Sequence, residues 1–210
     1  MGIEEKDIKR HWNKVYERSE VDSLGWYEDY PAPSLNLIHH CNLDKSSRIL
    51  SVGAGASSLV DELIKAGYTN IIANDISEVA LQTLKTGLGK KSENVTCITD
   101  DILNPSKLNN IEQVSLWHDR AVLHFFTDEK DQANYFKLLN KLVNPGGFAI
   151  IAAFNLQGAE ECSGLPVYRY NKEMLQERLT EKFELLDAFN YTYTMPSGDT
   201  REYVYTLFRK

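Results

Sequence analysis

Short apolar runs alternate along this chain with segments whose apolar residues have helical spacing. The runs predict strands, at residues 47–52, 70–74, 95–99, 113–118 and 147–154. The intervening segments predict helices, at residues 57–66, 77–87 and 129–142. Strands and helices that alternate in this way form a parallel sheet with helices on both faces, so the pattern predicts an α/β fold.

The two ends of the chain depart from this alternation. Apolar residues with helical spacing predict a helix near the start: Ile8, Trp12, Val15 and Tyr16. Further helices are predicted at about 33–41 and 171–181. The last two runs, FELLDAFNYTYTM and REYVYTLFRK, are rich in β-forming residues and flank a Pro-Ser-Gly-Asp turn. They predict an antiparallel hairpin that closes the sheet.

A glycine turn follows the first predicted strand. The segment RILSVGAGASSL passes from an apolar run into Gly53, Ala54 and Gly55, and Ser57 lies where a helix is predicted to begin. Glycine lets the backbone approach a ligand closely, and a helix N-terminus favours an anionic group. The segment therefore predicts a nucleotide-binding turn, with an ordinary tight turn as the alternative.

Acidic residues end the next two predicted strands. Asp75 comes 20 positions after Gly55, which is the offset of a ribose-binding carboxylate. The alternative is that Asp75 caps the following helix. Asp101 ends the third strand and is followed by the aliphatic residue Ile102, and LVNPGGFAII predicts a helix end, a turn and a buried strand.

These four segments resemble the class I S-adenosylmethionine-dependent methyltransferases over residues 45–155. The resemblance implies a Rossmann-like, doubly wound sheet of seven strands whose last strand is reversed. It also implies that the glycine turn holds the methionine part of the cofactor. Asp75 would bind the ribose hydroxyls and Asp101 would face the adenine amino group, with Ile76 and Ile102 as further cofactor contacts.

Two serines depart from related patterns. The family usually has an acidic residue two positions before the first glycine, where this chain has Ser51. A hydroxyl brings no charge to the cofactor's ammonium group, so affinity is expected to depend on other groups. Ser58 occupies the third glycine position of a dinucleotide fold, which disfavours NAD as the ligand. The family motif Asp/Asn-Pro-Pro-aromatic is absent, which disfavours amide and adenine nitrogens as acceptors.

The segment VSLWHDRAVLHFF ends the fourth strand, where ligands bind in open α/β sheets. It is expected to bring Trp117, His118, Asp119, Arg120 and His124 close to the methyl group. His118 or Asp119 is the predicted base, His118 is also a predicted cofactor contact, and Arg120 is a candidate anchor for an acidic substrate group. A structural hydrogen-bond network around Asp119 is the alternative.

The Trp-His-Asp-Arg run resembles that of a group of small bacterial methyltransferases. More distantly, the sequence is similar to the eukaryotic lysine methyltransferases that act on citrate synthase and on elongation factor 1A. The resemblance implies that methyl transfer takes place beside this run.

Two irregular segments contain candidate lids. The loop SLGWYEDYPAPS contains Trp26, whose ring face would attract a sulfonium, and Trp12 is a second candidate from the first helix. Helical packing is the alternative for Trp12. The segment FNLQGAEECSGLPVYRY is long for a connection and predicts a substrate lid, with a plain surface excursion as the alternative. The working residues expected in this lid are Phe154, Tyr168, Arg169 and Tyr170.

Chain length and charge limit the remaining choices. One domain is expected over residues 1–210, with N-terminal helices and lid loop in 1–44, the cofactor core in 45–155, and the substrate loop, helix and hairpin in 156–210. The net charge of −7 disfavours nucleic acid as a partner. The charged start and the lack of a long apolar run predict a cytoplasmic protein with no membrane partner.

The three cysteines, Cys41, Cys97 and Cys162, form no CxxC pair, so neither a metal site nor a disulfide framework is expected. Only Cys162 lies in a segment near the expected site. The sequence thus predicts metal-independent methyl transfer from S-adenosyl-L-methionine, with S-adenosyl-L-homocysteine as product. A small-molecule acceptor is favoured. The alternatives are a protein-lysine methyltransferase and a non-catalytic cofactor-binding protein.

Overall fold

The computed structural model describes residues 5–210. Its strands are β1 (Ile49–Val52), β2 (Ile71–Asp75), β3 (Val95–Thr99), β4 (Val114–Arg120), β5 (Val143–Phe154), β6 (Glu161–Cys162), β7 (Leu165–Pro166), β8 (Glu184–Thr194) and β9 (Thr200–Arg209). Seven of them form one sheet in the order β3-β2-β1-β4-β5-β9-β8. Strands β1 to β5 pair in parallel, and β9 is antiparallel to both β5 and β8. The predicted sheet with its antiparallel C-terminal hairpin is confirmed.

Helices connect these strands. The α-helices of the described range are α1 (Glu5–Arg18), α2 (Ala32–His40), α3 (Ser58–Lys65), α4 (Glu78–Leu88), α5 (Glu129–Leu142) and α6 (Lys172–Leu179). Short 3-10 turns occur at Val21–Ser23, Gly89–Asn94, Leu108–Asn110, Leu123–Phe125 and Thr180–Lys182. None of the helices within residues 5–210 combines the length and apolar character that crossing a bilayer requires.

Capping serines fix where the helices after β1 and β2 begin. The side chain of Ser57 accepts a hydrogen bond from the N–H of Leu59 (3.1 Å), and that of Ser77 accepts one from the N–H of Ala80 (3.1 Å). Each bond satisfies a helix N–H that has no partner within its own helix. Because β1 and β2 are parallel, α3 and α4 both begin at the carboxyl-terminal edge of the sheet.

Apolar clusters cover both faces of the sheet. Ile49 of β1 belongs to the cluster that contains Leu63 of α3 and Leu84 of α4. Its neighbour Leu50 belongs to the cluster that contains Leu139 of α5 and Leu175 of α6. Successive strand residues point to opposite faces, so a strand between two helical layers has to be apolar on both sides.

The region around β5 differs in detail from the sequence prediction. The Pro-Gly-Gly turn lies inside β5, which begins at Val143 directly after α5. The pairing with β4 shifts there, from Val114 with Val143 to Leu116 with Phe148. The turn is therefore an irregularity within a paired strand. The polar connection after β5 contains the short antiparallel β6–β7 hairpin, which was not predicted from the sequence.

Candidate active site

A cavity of about 400 Å³ lies at the carboxyl-terminal edge of the sheet. This large cavity has the size and the apolar character of a small-molecule site. Its lining includes Trp12, Tyr16, Trp26, Gly53, Asp75, Ile76, Asp101, Ile102, Arg120, Val122, Phe125, Phe126, Asp128, Asp131, Cys162, Leu165 and Pro166. Eight of the residues predicted from the sequence are in this set: Trp12, Trp26, Gly53, Asp75, Ile76, Asp101, Ile102 and Arg120.

A second, small cavity of about 50 Å³ adjoins the large one. Trp26, Val52, Gly53 and Arg120 line both, so the two spaces share a wall. The predicted residues Ala54, Ser57 and His118 line only the small cavity, together with Glu28, Ser34 and Ser51. Most of the predicted site is therefore divided between these two cavities, and Gly55 and Asp119 line neither of them.

The glycine turn between β1 and α3 has no room for side chains. Gly53 has φ +55°, and a Cβ atom there would overlap the side chain of Val122. Gly55 has φ +52°, and a Cβ atom there would overlap the hydroxyl of Tyr16. Positive φ and close neighbours together require glycine at both positions. The turn thus brings its backbone directly against the side chains that enclose the cavities.

Asp75, at the end of β2, is buried on the wall of the large cavity. Its carboxylate accepts hydrogen bonds from the N–H groups of Gly55 (2.8 Å) and Ser77 (2.8 Å). Burial raises its pKa to about 6. The cap of α4 is the side chain of Ser77, so helix capping does not account for Asp75. An ionised carboxylate has about four acceptor positions, and the two backbone bonds leave others for a ligand.

The two acidic residues that follow β3, Asp100 and Asp101, make different contacts. Asp100 accepts hydrogen bonds from the N–H groups of Ser106, Lys107 and Leu108, which holds the following turn. Asp101 accepts only from Leu103 N–H (2.9 Å) and Asn104 Nδ2 (3.1 Å) and lines the large cavity. Both acids line the large cavity, and Asp101 has fewer hydrogen bonds within the described residues, which leaves more acceptor positions for a ligand.

Asp119, a predicted base, lines neither cavity. Its side chain is fully buried and accepts hydrogen bonds from Val122 N–H (2.9 Å), Leu123 N–H (3.1 Å) and Tyr135 Oη (2.7 Å). Trp117 Nε1 donates to the same Tyr135 hydroxyl (3.1 Å). Burial raises the pKa of Asp119 to about 7. The geometry therefore favours the structural network that the sequence left open, and neither Asp119 nor Trp117 lines either of the two cavities.

His118, the other predicted base, is buried beside the small cavity. Its Nε2 lies 2.9 Å from Ser34 Oγ, and its Nδ1 has no hydrogen-bond partner among the described residues. Burial, together with the charge of Arg120, lowers its pKa to about 3. His118 is therefore neutral at pH 7. The structure does not bring it into the large cavity.

Arg120 is the charged residue that lines both cavities. Its Nε lies 3.0 Å from Tyr205 Oη and 3.1 Å from Glu28 Oε2, and its Nη1 donates to the carbonyl oxygen of Trp26 (2.9 Å). The guanidinium also lies over the ring of Tyr193, at 4.9 Å. Its buried Nη2 has no hydrogen-bond partner within residues 5–210. Arg120 thus lines both cavities and keeps one buried donor group without a partner among the described residues.

Aromatic rings from three elements enclose the large cavity. Trp12 contacts Trp26 and Phe125 edge-on, with centroids 5.6 Å and 5.1 Å apart. Tyr16 contacts Trp26 in the same way at 6.0 Å. The sequence reasoning missed Tyr16 and Phe125 as wall residues. Tyr16 lies four positions after Trp12, on the same face of α1, and this spacing is the signal that could have identified it.

The predicted lid after β5 contributes different residues from those expected. Phe154 and Tyr170 are buried in the core, and Arg169 pairs with Glu160 (3.1 Å). Neither these three nor Tyr168 lines either cavity. His124 also lines neither and packs against Phe154. The β6–β7 hairpin instead contributes to the large cavity through three residues: Cys162, Leu165 and Pro166.

Comparisons with known proteins find similarity to methyltransferases. Residues 49–147 match the family model described as a methyltransferase domain. The chain is 28% identical over 197 residues to EEF1A lysine methyltransferase 2 of Mus musculus, a match that covers 83% of this chain and 75% of that protein. No cluster of metal-binding side chains occurs in the part of the chain that the structure describes.

Solved structures share the fold at low identity. The SAM-dependent methyltransferase from Anabaena variabilis has a TM-score of 0.79 at 15% identity, covering 99% of this chain and 96% of that chain. The Burkholderia thailandensis 1,6-didemethyltoxoflavin-N1-methyltransferase, with bound 1,6-didemethyltoxoflavin and S-adenosylhomocysteine, has a TM-score of 0.68 at 17% identity, covering 98% and 86%.

These matches confirm the family resemblance predicted from the sequence, and with it the methyltransferase activity and the use of S-adenosylmethionine. The likeness to a group of small bacterial methyltransferases stays a prediction.

Proposed function

We propose that this chain, an S-adenosylmethionine-dependent methyltransferase of the seven-strand family, methylates a small acidic or neutral molecule in the large cavity. The observation that carries the proposal is the guanidinium of Arg120 on the cavity wall, where Nη2 has no partner among the described residues. A fixed positive charge favours an acceptor with a carboxylate or another anionic group.

The residues of the large cavity fit the cofactor. Asp75 keeps acceptor positions suited to the ribose hydroxyls, and Asp101 has a carboxylate suited to the adenine amino group. Ile76 and Ile102 line the same cavity and offer apolar contacts to the adenine ring. The backbone of Gly53, which has no side chain of its own and lines both cavities, allows the close approach that the methionine part needs.

The chain's own contribution to catalysis is positioning and the exclusion of water. When bound, S-adenosylmethionine supplies an electrophilic methyl group on a sulfonium. The rings of Trp12, Trp26 and Phe125 present an apolar wall to this charge. Arg120 holds the acceptor, so that its nucleophile approaches in line. A neutral or anionic nucleophile needs no strong base, which is consistent with the positions of His118 and Asp119 outside the large cavity.

A protein lysine is the second candidate acceptor. The similarity to EEF1A lysine methyltransferase 2 favours it, as do the carboxylates of Asp128 and Asp131 on the cavity wall. Against it, neutralising a lysine ammonium at pH 7 costs about 4.6 kcal/mol. We therefore place lysine second.

Methyl-labelled S-adenosylmethionine distinguishes the two acceptors. The purified protein is incubated with the labelled cofactor in a cell lysate, which is then separated by ultrafiltration. We expect the label in the small-molecule fraction, on a product retained by an anion exchanger if the acceptor is acidic. The Asp75→Ala variant is the control for transfer by this protein. Label in the protein fraction, released by hydrolysis as methyl-lysine, would contradict the proposal and establish the second candidate.

A further inference from the structure

The small cavity behind the glycine turn has a group of polar side chains in its wall. Polar groups line it: Glu28, Ser34, Ser51, Ser57, His118 and Arg120. It adjoins Gly53, where the family resemblance expects the methionine part of the cofactor. That part carries an ammonium and a carboxylate. A space lined by hydroxyls and by charges of both signs is complementary to such a zwitterion.

Ser51 occupies the position where the family usually has an acidic residue, but its hydroxyl carries no charge. It is buried on β1, paired in register with His118 of β4. His118 is neutral at pH 7 because burial, together with the charge of Arg120, lowers its pKa to about 3. Neither residue of this pair brings a negative charge to the small cavity.

Glu28 brings a carboxylate to the same space from the loop between α1 and α2. Its side chain is only 9% exposed, and Oε2 lies 3.1 Å from Arg120 Nε. The backbone of Glu28 is fixed as well, because Ser58 Oγ donates a hydrogen bond to its carbonyl oxygen (2.6 Å). The loop is therefore fastened to the start of α3, and the carboxylate is held beside the glycine turn.

The pair of Glu28 and Arg120 does not use up the carboxylate. An ionised carboxylate accepts about four hydrogen bonds, and the contact with Arg120 engages one oxygen. Burial raises the pKa of Glu28, and the charge of Arg120 opposes this effect. A bound ammonium would add a second positive neighbour and favour the ionised form further.

We propose that Glu28 replaces the missing acid at Ser51 and binds the ammonium group of the cofactor's methionine part. The inference rests on the use of S-adenosylmethionine at the glycine turn, as in the proposed function. The loop between α1 and α2 is then a part of the cofactor site, and it supplies a specific charge that strand β1 lacks.

Calorimetry with two ligands tests this assignment. S-adenosylhomocysteine carries the ammonium, whereas 5′-methylthioadenosine lacks the whole amino-acid part. For Glu28→Gln we expect S-adenosylhomocysteine to bind roughly 10- to 100-fold more weakly, since a charge-assisted bond is lost. The affinity for 5′-methylthioadenosine should stay within about twofold of wild type on the same reasoning. Glu112→Gln is the matched control, because Glu112 is exposed and pairs with Arg48 at the other edge of the sheet.

A rescue variant separates the charge from the shape of the loop. In Glu28→Gln, the added change Ser51→Asp should restore most of the affinity for S-adenosylhomocysteine, because it returns a carboxylate to the small cavity. Unchanged affinity in Glu28→Gln, an equal loss for both ligands, or no rescue in a folded double variant would overturn the assignment. If the wild-type protein binds neither ligand, the use of the cofactor is wrong instead. Should Glu28→Gln fail to fold, the folded double variant still gives the comparison.

Discussion

Strands β2 and β4 end at the same edge of the sheet, but the acidic residues near their ends make different contacts. Asp75 ends β2 on the wall of the large cavity, with two backbone donors. Asp119 lies one residue before the end of β4, and its three hydrogen bonds stay within the protein. Side chains alternate between the faces of a strand, so Trp117 and Asp119 share one face while His118 and Arg120 share the other. An acid near a strand end can therefore contact a ligand only when its side chain lies on the face that borders the cavity.

The largest effect that we expect is the loss of stability in a variant of Asp119. Asp119→Ala leaves the N–H groups of Val122 and Leu123 and the buried hydroxyl of Tyr135 without their acceptor. We expect the free energy of unfolding to fall by about 3 to 5 kcal/mol. Chemical denaturation followed by circular dichroism measures it. Tyr135→Phe, which removes one donor and keeps the carboxylate, is the control and should cost only about 1 to 2 kcal/mol. A stable Asp119→Ala that has lost turnover would return Asp119 to a role in the chemistry.

The glycine turn and the acids were predictable because they depend on local sequence. Gly53, Asp75 and Asp101 are each identified by a strand end and a spacing, and both can be read along the chain. The fold followed from the alternation of strands and helices for the same reason. The position of His118 was not predictable in this way: it lines the small cavity beside Ser34, which is 84 positions away and on another element.

Glu28 and Tyr16 make contacts with parts of the chain that are distant in sequence. Glu28 meets Arg120 only because the loop after α1 folds over the glycine turn. Tyr16 is placed against Gly55 by the packing of α1, which no spacing near the glycine turn indicates. Contacts made across elements depend on the whole fold, so the contacts of Glu28 with Arg120 and of Tyr16 with Gly55 were beyond prediction, although the spacing from Trp12 indicates the face of α1 that carries Tyr16.

The next largest effect should appear in cofactor affinity at Asp75. Asp75→Ala removes an acceptor from the proposed ribose contact. We expect S-adenosylhomocysteine to bind more weakly by about 1.5 to 3 kcal/mol, with a folded protein. Calorimetry gives the dissociation constant. The exposed residue Asp199, in the turn between β8 and β9, provides the matched control Asp199→Ala. An unchanged dissociation constant would mean that Asp75 only holds the glycine turn through Gly55.

The pH dependence of cofactor affinity tests the same proposed contact of Asp75. The pKa of Asp75 is raised to about 6 by burial, and a ligand hydroxyl donates best to the ionised form. Affinity should therefore be constant above about pH 6 and should fall as the pH drops below it, by up to about tenfold per unit. The carboxylate would then be protonated in the free protein, and binding would have to remove that proton. Calorimetry between pH 5 and pH 8 measures the change, and a flat profile would contradict an ionised Asp75 in the complex.

The smallest effect that we expect is on tryptophan fluorescence. It distinguishes Trp26, at the cavities, from Trp117, on the opposite face of β4. Trp26 lines both cavities, whereas Trp117 lies on the face of β4 that carries Asp119 and lines neither. A bound sulfonium near the indole of Trp26 should change its emission, so the fluorescence change on cofactor binding should shrink in Trp26→Phe. It should remain in Trp117→Phe, although that variant loses the bond to Tyr135.

Trp12, which contacts Trp26 edge-on, requires its own variant because it lines the large cavity as well. Trp12→Phe should remove a further part of the signal and leave the contribution of Trp26. Limited proteolysis of residues 19–31, with and without cofactor, gives the second measurement. Since Arg120 Nη1 already holds the carbonyl oxygen of Trp26 at 2.9 Å, we expect the cofactor to increase protection of a loop that is docked before binding. Equal fluorescence changes in the Trp26 and Trp117 variants would show that Trp26 is wall packing and does not report the sulfonium.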